Sequence, residues 1–233
     1  MKIIVCLQQI FNPHYAEGDA VFDELANAND AAVAAAANLK EAGGGEPDVI
    51  ILGAGDVRRA LSVGGDSGVS IKLGGKPDAY SLADAYAQGI KQIGSGLVVT
   101  AAFPEGFAAS LLSGLCGLPC VANAVKISFG KAGAVIGTAE LGANAFDFEL
   151  PVPCVISVKP DAWQKAHGTV HGIIKAQDLP VKEITDIALA PSVMQIVGLT
   201  GSAAARQTVM LTGNTSELAV KAADILQRHR RLS

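Results

Sequence analysis

In the first half of the chain, short unbroken apolar runs alternate with stretches that carry apolar residues at helical spacing. The runs are residues 2–7, 48–52, 68–73 and 96–101. A run without polar alternation fits a strand buried on both faces of a parallel sheet. The polar stretch from Gln8 to about Leu25 reads as irregular. Residues 29–41 are Ala-rich and stop at Gly43-Gly44-Gly45, which predicts a helix with a glycine end. Residues 56–63 read as a short helix capped by Asp56. Residues 78–93 place Leu82, Ala85, Tyr86, Gly89, Ile90 and Ile93 at helical spacing. Residues 107–116 form a fourth helix, stopped by Gly117 and Pro119. Strand and helix in alternation predict a parallel sheet with helices on both faces.

After Pro119 the pattern changes. Residues 121–129, 134–140, 145–150 and 154–158 read as strands, with Gly130-Lys131-Ala132-Gly133 as a hairpin turn. From Lys159 to Gly213 the chain reads as a loop broken by Pro160, Pro180 and Pro191. So long a loop is unusual inside a compact domain, so the expectation is that it lies along another chain. A helix over residues 215–231 closes the sequence, with Asn214, Thr215 or Ser216 as cap and Glu217 in its first turn. The predicted fold class is α/β: a three-layer open parallel sheet, Rossmann-like and adenine-nucleotide-hydrolase-like, with an antiparallel strand extension and a C-terminal arm. Residues 1–190 are expected to form the nucleotide-binding-like domain, and residues 191–233 an arm and helix packing on a partner subunit.

Composition narrows the function classes. Half of the 233 residues are hydrophobic, only 17% are charged, and the net charge is −4. Disorder needs the opposite balance. A chain with so few charges suggests a surface partly covered by a partner. Mild acidity without a basic patch argues against nucleic acid; the Arg228-His229-Arg230-Arg231 cluster reads as a cation-rich helix end. No apolar run approaches the roughly 18 residues of a membrane span, so no membrane insertion is expected. Met1-Lys2-Ile3-Ile4-Val5-Cys6 enters a strand directly, without a signal-peptide pattern. Cys6, Cys116, Cys120 and Cys154 sit in apolar runs, which reads as reduced thiols in a cytoplasmic protein.

Candidate chemistry centres on the loops at the carboxyl ends of the parallel strands, where ligands of open sheets bind. These are residues 7–9, 53–56 and 100–107. Gly53-Ala54-Gly55 links a strand to a helix, either as a ligand turn or as a turn chosen for packing; Arg58 stands where a dinucleotide fingerprint has its third glycine. Pro104-Glu105-Gly106-Phe107 opens a helix, but Glu105 would repel a phosphate. His167 and His171 are four apart without a third ligand, and Cys116 and Cys120 straddle Gly117 and Pro119. Neither a serine nucleophile elbow nor a triad is present. The chain reads as a holder of a cofactor or partner, an electron carrier rather than a self-contained enzyme.

Several segments carry a family likeness. They are Met1-Lys2-Ile3-Ile4-Val5-Cys6-Leu7-Gln8-Gln9-Ile10; Asn29-Asp30 with the Ala-rich helix ending Leu39-Lys40-Glu41; and Arg58-Arg59-Ala60-Leu61-Ser62-Val63-Gly64-Gly65-Asp66. Leu115-Cys116-Gly117-Leu118-Pro119, Glu149-Leu150-Pro151 with its following strand, residues 169–176 and residues 215–226 continue the series. In this order they resemble the beta subunit of the electron transfer flavoproteins over nearly the whole chain. The resemblance implies pairing with a larger alpha subunit, a shared FAD, and electron exchange with a flavin dehydrogenase and other redox partners. It also implies a nucleotide site in this subunit for AMP, or for a second FAD, at Cys6, Leu7, Asn29, Ala54, Gly55, Val99, Thr100, Glu105, Gly106, Phe107 and Ala108. Val170 stands where the family has a leucine that anchors dehydrogenases, with Ile173, Ile174 and Lys175 in the same recognition segment. Two other readings of the residues remain open: a nucleotide-free structural paralogue and a non-redox, universal-stress-type adenine-nucleotide module. The second would need a late glycine-rich triphosphate loop, which is not found in its expected place. The family's phosphate loop, roughly Asp-Gly-Asp-Thr-Gly-Gln, is replaced by the shorter Pro104-Glu105-Gly106-Phe107, and its Pro-Arg-Tyr by Asp161-Ala162-Trp163.

Overall fold

The computed structural model describes residues 1–10, 20–74, 77–104, 106–163, 168–193 and 210–230. By internal contacts the chain divides into two units, Met1–Gln195 and Ile196–Ser233.

The first unit is built on a sheet of nine strands. The apolar runs become β1 (Lys2–Cys6), β2 (Asp48–Gly53), β3 (Ser67–Ile71) and β4 (Leu97–Ala101). They are joined by β5 (Cys120–Phe129), β6 (Val135–Leu141), β7 (Asn144–Leu150), β8 (Cys154–Val158) and β9 (Val181–Ile184). The strand order is β7-β6-β5-β8-β4-β1-β2-β3-β9. From β5 to β9 the neighbours run parallel, and β6 and β7 are the antiparallel extension. The predicted α/β class and its antiparallel extension are therefore both present.

Alternation along the strands sorts the core onto two faces. Ile3 and Val5 face α1 (Ala20–Ala42), α2 (Arg58–Val63) and α5 (Val170–Asp178). Ile4 and Cys6 face α3 (Ala79–Ile93) and α4 (Ala109–Cys116). The alanines of α1 let its backbone lie close to the sheet: Ala32, Ala35 and Ala36 are fully buried. β1 is followed by a helix on one face and its neighbour β4 by a helix on the other. The switch point of the sheet thus lies between the carboxyl ends of β1 and β4.

The structure corrects four boundaries. α1 begins at Ala20 rather than at Asn29, because Val21, Leu25 and Ala28 already reach the core at helical spacing. α2 begins at Arg58; Asp56 accepts from the Arg58 N–H at 2.8 Å but lies before the helix. α4 begins at Ala109, since the backbone of Phe107 is engaged elsewhere. The largest correction concerns residues 159–213. Instead of one long loop this segment supplies α5 and β9, and β9 is an edge strand of the same sheet. The chain then follows its own α3: Gln88 Nε2 donates to the Ala188 carbonyl at 3.0 Å, and the Val193 N–H donates to Asp78 Oδ2 at 2.7 Å. As far as Val193, the expectation of a loop laid along another chain does not hold.

The second unit contains α6 (Thr215–Arg230). Asn214 is its cap: Asn214 Oδ1 accepts from the Glu217 N–H at 3.0 Å, and Glu217 Oε2 accepts from the Asn214 N–H at 3.2 Å. This reciprocal pair satisfies donors that the first turn would otherwise leave open.

Candidate functional site

A single side chain, Gln8, spans the switch point. It follows β1 and is 1% exposed. Its Nε2 lies within donor distance of Thr100 Oγ1 (3.1 Å), the Ala101 carbonyl (2.9 Å) and the Phe107 carbonyl (3.0 Å), and its Oε1 accepts from the Phe107 N–H at 3.0 Å. The Gln8 amide therefore bridges the end of β1 to the end of β4 and to the approach of α4. The Gln8 backbone is fixed as well. Its N–H donates to Asn29 Oδ1 at 2.7 Å, and its carbonyl accepts from Asn29 Nδ2 at 3.1 Å.

Neighbouring groups are paired in the same way. Thr100 Oγ1 donates to the Cys6 carbonyl at 2.9 Å. The Tyr86 hydroxyl donates to the Leu7 carbonyl at 2.8 Å and accepts from the Ala54 N–H at 3.1 Å. Gln9 Nε2 donates to the Ala54 carbonyl, and Ser70 Oγ donates to the Gly55 carbonyl at 2.7 Å. The Phe107 ring stands edge-on to Tyr86, with centroids 5.4 Å apart, and is 2% exposed. A Cβ on Gly106 would lie 2.1 Å from Gln8 Oε1, so glycine there makes room for the glutamine.

Of the residues singled out from sequence, Leu7, Asn29, Ala54, Thr100, Gly106 and Phe107 are brought together around this crevice. Gly55 sits in the adjoining turn, where its carbonyl is held by Ser70. Ala108 is the residue before α4, with no side-chain cap. Val99 is elsewhere: it is fully buried in the core on the α1 face. Cys6 is buried on the opposite face. Burial holds its thiol well above the usual range, and Cys116 adds to the shift. Burial, then Cys6, also raises the Tyr86 hydroxyl, which keeps it a proton donor to Leu7. Glu105 and His167 lie outside the described residues. Sequence reasoning included residues 7–9 among the candidate loops but missed that Gln8 and Tyr86 organise them. The available signal was a glutamine pair directly after a fully buried strand.

A shallow cavity of about 370 Å³ flanks the crevice on the β8 side, between Phe103, Pro104, Phe107, Ala108, Asn123 and Ser157. No cationic side chain lines it among the described residues. The Gln8, Ala54 and Phe107 N–H groups at the switch point are spent on the chain itself.

The other candidate set lies on α5. Thr169 caps the helix, its Oγ1 accepting from the Gly172 N–H at 3.0 Å. Ala176 faces the core, while Val170, Ile173 and Ile174 are 76%, 50% and 62% exposed. Arg58 holds the far end of α5: its guanidinium donates to the Ala176 carbonyl and, at 2.8 Å, to the Leu179 carbonyl. A cation there complements the negative end of the helix. Among the described residues no cluster of His, Cys, Asp or Glu is placed to hold a metal. No described helix is long and apolar enough to cross a membrane.

Comparison with known proteins bears on this arrangement. The model of the electron transfer flavoprotein domain matches residues 19–189. The chain belongs to the electron transfer flavoprotein family. It is also 28% identical over 200 residues to a protein of Syntrophomonas wolfei subsp. wolfei (strain DSM 2245B / Goettingen) named electron transfer flavoprotein subunit beta, covering 78% of each chain. It is thus a divergent, beta-like member of the electron transfer flavoprotein family, with an electron-transfer role of that general kind.

Proposed function

We propose that this chain is the beta-like subunit of an electron transfer flavoprotein. It pairs with an alpha-like subunit, shares the FAD held by that pair, and passes electrons between a flavin dehydrogenase and other redox partners. The observation that carries the reading is the outer face of α5. Val170, Ile173 and Ile174 follow i, i+3, i+4 spacing and are half to three-quarters exposed, whereas Ala176 anchors the helix to the core. Three large aliphatic side chains on one exposed turn suit insertion into an apolar groove on a partner. By the family resemblance, their place in the chain corresponds to the recognition segment. Val220 and Leu226, each 70% exposed on α6, give the second unit apolar side chains for contact with the alpha subunit. The chain's own residues contribute packing and partner contacts, and the flavin supplies the redox chemistry when bound.

Co-expression with the neighbour-encoded alpha-like subunit tests the proposal. The expected product is a yellow 1:1 complex whose flavin is reduced by a flavin dehydrogenase with its substrate. A colourless chain that does not associate with that subunit would overturn the reading.

A further inference from the structure

We infer that the switch-point crevice of this chain is closed by its own Gln8 and Phe107, and that the subunit works with no nucleotide there. In an open parallel sheet this crevice is the default position for a nucleotide, because backbone N–H groups and a helix start converge on it. Here three of the converging N–H groups are spent. The Phe107 N–H is taken by Gln8, the Ala54 N–H by Tyr86 and the Gln8 N–H by Asn29. The carbonyls of Leu7, Ala54, Gly55 and Ala101 have internal donors too. A ligand entering the crevice would have to break several buried hydrogen bonds at once, leaving polar groups unsatisfied unless it replaced each of them.

Space argues the same way. Gln8 is 1% and Phe107 2% exposed, so the volume between β1, β4 and α4 is already filled. The empty volume nearby is displaced toward β8, and its described polar side chains, Ser110, Asn123 and Ser157, carry no charge with which to hold a phosphate. Gly106, a nucleotide-site residue by the family resemblance, makes room for the glutamine: a Cβ there would meet Gln8 Oε1 at 2.1 Å. The crevice is therefore a lock that ties the start of α4 to β1, and the sheet keeps its shape without a ligand.

The test uses the wild-type complex with its alpha-like subunit, denatured so that released AMP and FAD are counted by chromatography. One FAD and no AMP per pair is the expected result. An AMP or a second FAD at one per pair would overturn the inference while leaving the subunit pairing intact. If no complex forms, the proposed function fails, and titration of the isolated full chain with AMP, ADP and FAD decides the present point alone. Absence of heat and of a thermal shift up to millimolar nucleotide supports it, and saturable 1:1 binding refutes it. A Gln8→Leu variant checks the role of the lock. It keeps most of the volume but loses the amide bonds, so the Phe107 amide, which donates to Gln8, should lose at least tenfold of its hydrogen-exchange protection. Unchanged protection in a folded variant would refute the lock.

Discussion

Gln8 and Gly106 depend on one another. A methyl group at position 106 would press on an amide that four contacts hold in place. Gly106→Ala should therefore destabilise the first unit by about 2 kcal/mol, the cost of overpacking a fixed site. In a Gln8→Ala background the same change should cost at least about 1 kcal/mol less, because the clashing oxygen is gone. Urea unfolding of the four proteins measures the coupling, and strict additivity would contradict it. A second prediction at this scale concerns the buried thiols. Burial, with Cys120 adding to it, lifts the Cys154 thiol from 9.0 to about 11. Above pH 9 the unfolded thiol ionises while the native one stays protonated, so the unfolded state gains. Stability should fall between pH 9 and about 11, by up to about 1.4 kcal/mol per pH unit for this group. Cys154→Ala should flatten that alkaline slope, as read from unfolding midpoints at about pH 8 and pH 10.

Among the elements, α5 combines a fixed inner side with a bare outer one. Thr169→Ala removes its cap and should cost about 1 kcal/mol. Arg58→Ala releases two carbonyls at its other end and should cost about 2 kcal/mol. Both losses would appear as lowered urea midpoints. Ile174→Asp touches the exposed face only. It should leave the midpoint within about 0.5 kcal/mol of wild type, yet lower kcat/KM for flavin reduction by a dehydrogenase at least tenfold. Equal transfer rates would remove α5 from the partner surface. This helix also marks where sequence reading gave out. β1, β2 and β4 were legible because strands buried on both faces are apolar throughout. α5 is only nine residues long, and Gly172 sits in its first turn. β9 is four residues, Val181-Lys182-Glu183-Ile184, too short for a period to register. What makes each an element is its neighbour: α2 and Arg58 for the helix, the β3 edge for the strand. The candidate site divided similarly. The loops at residues 7–9, 53–56 and 100–107 followed from the strand pattern and Asn29 from the family likeness, but the bonds that close the crevice depend on side-chain directions across 92 to 99 residues of chain.

Across the whole molecule, the two compact units suggest separable tasks. Ending the chain after Gln195 should leave the first unit with a cooperative thermal transition close to that of the full chain. Co-purification with the alpha-like subunit should be lost, because the second unit is proposed to provide part of that contact. A truncated chain that still pairs at full strength would place the contact entirely on the first unit.

The edge position of β9 matters for synthesis. Arg58 reaches a carbonyl 118 residues further along the chain, and β9 comes later still. A nascent chain carrying β1 to β4 therefore emerges with one side of β3 unpaired. At roughly 5–20 residues per second, that side stays open for several seconds before its own strand arrives. During that interval any extended segment of another nascent chain competes for the same row of backbone groups. Slow translation, or a stall before Val181, would leave the apolar β3 edge as a template for aggregation, where the finished sheet ends instead on a four-residue strand carrying Lys182 and Glu183.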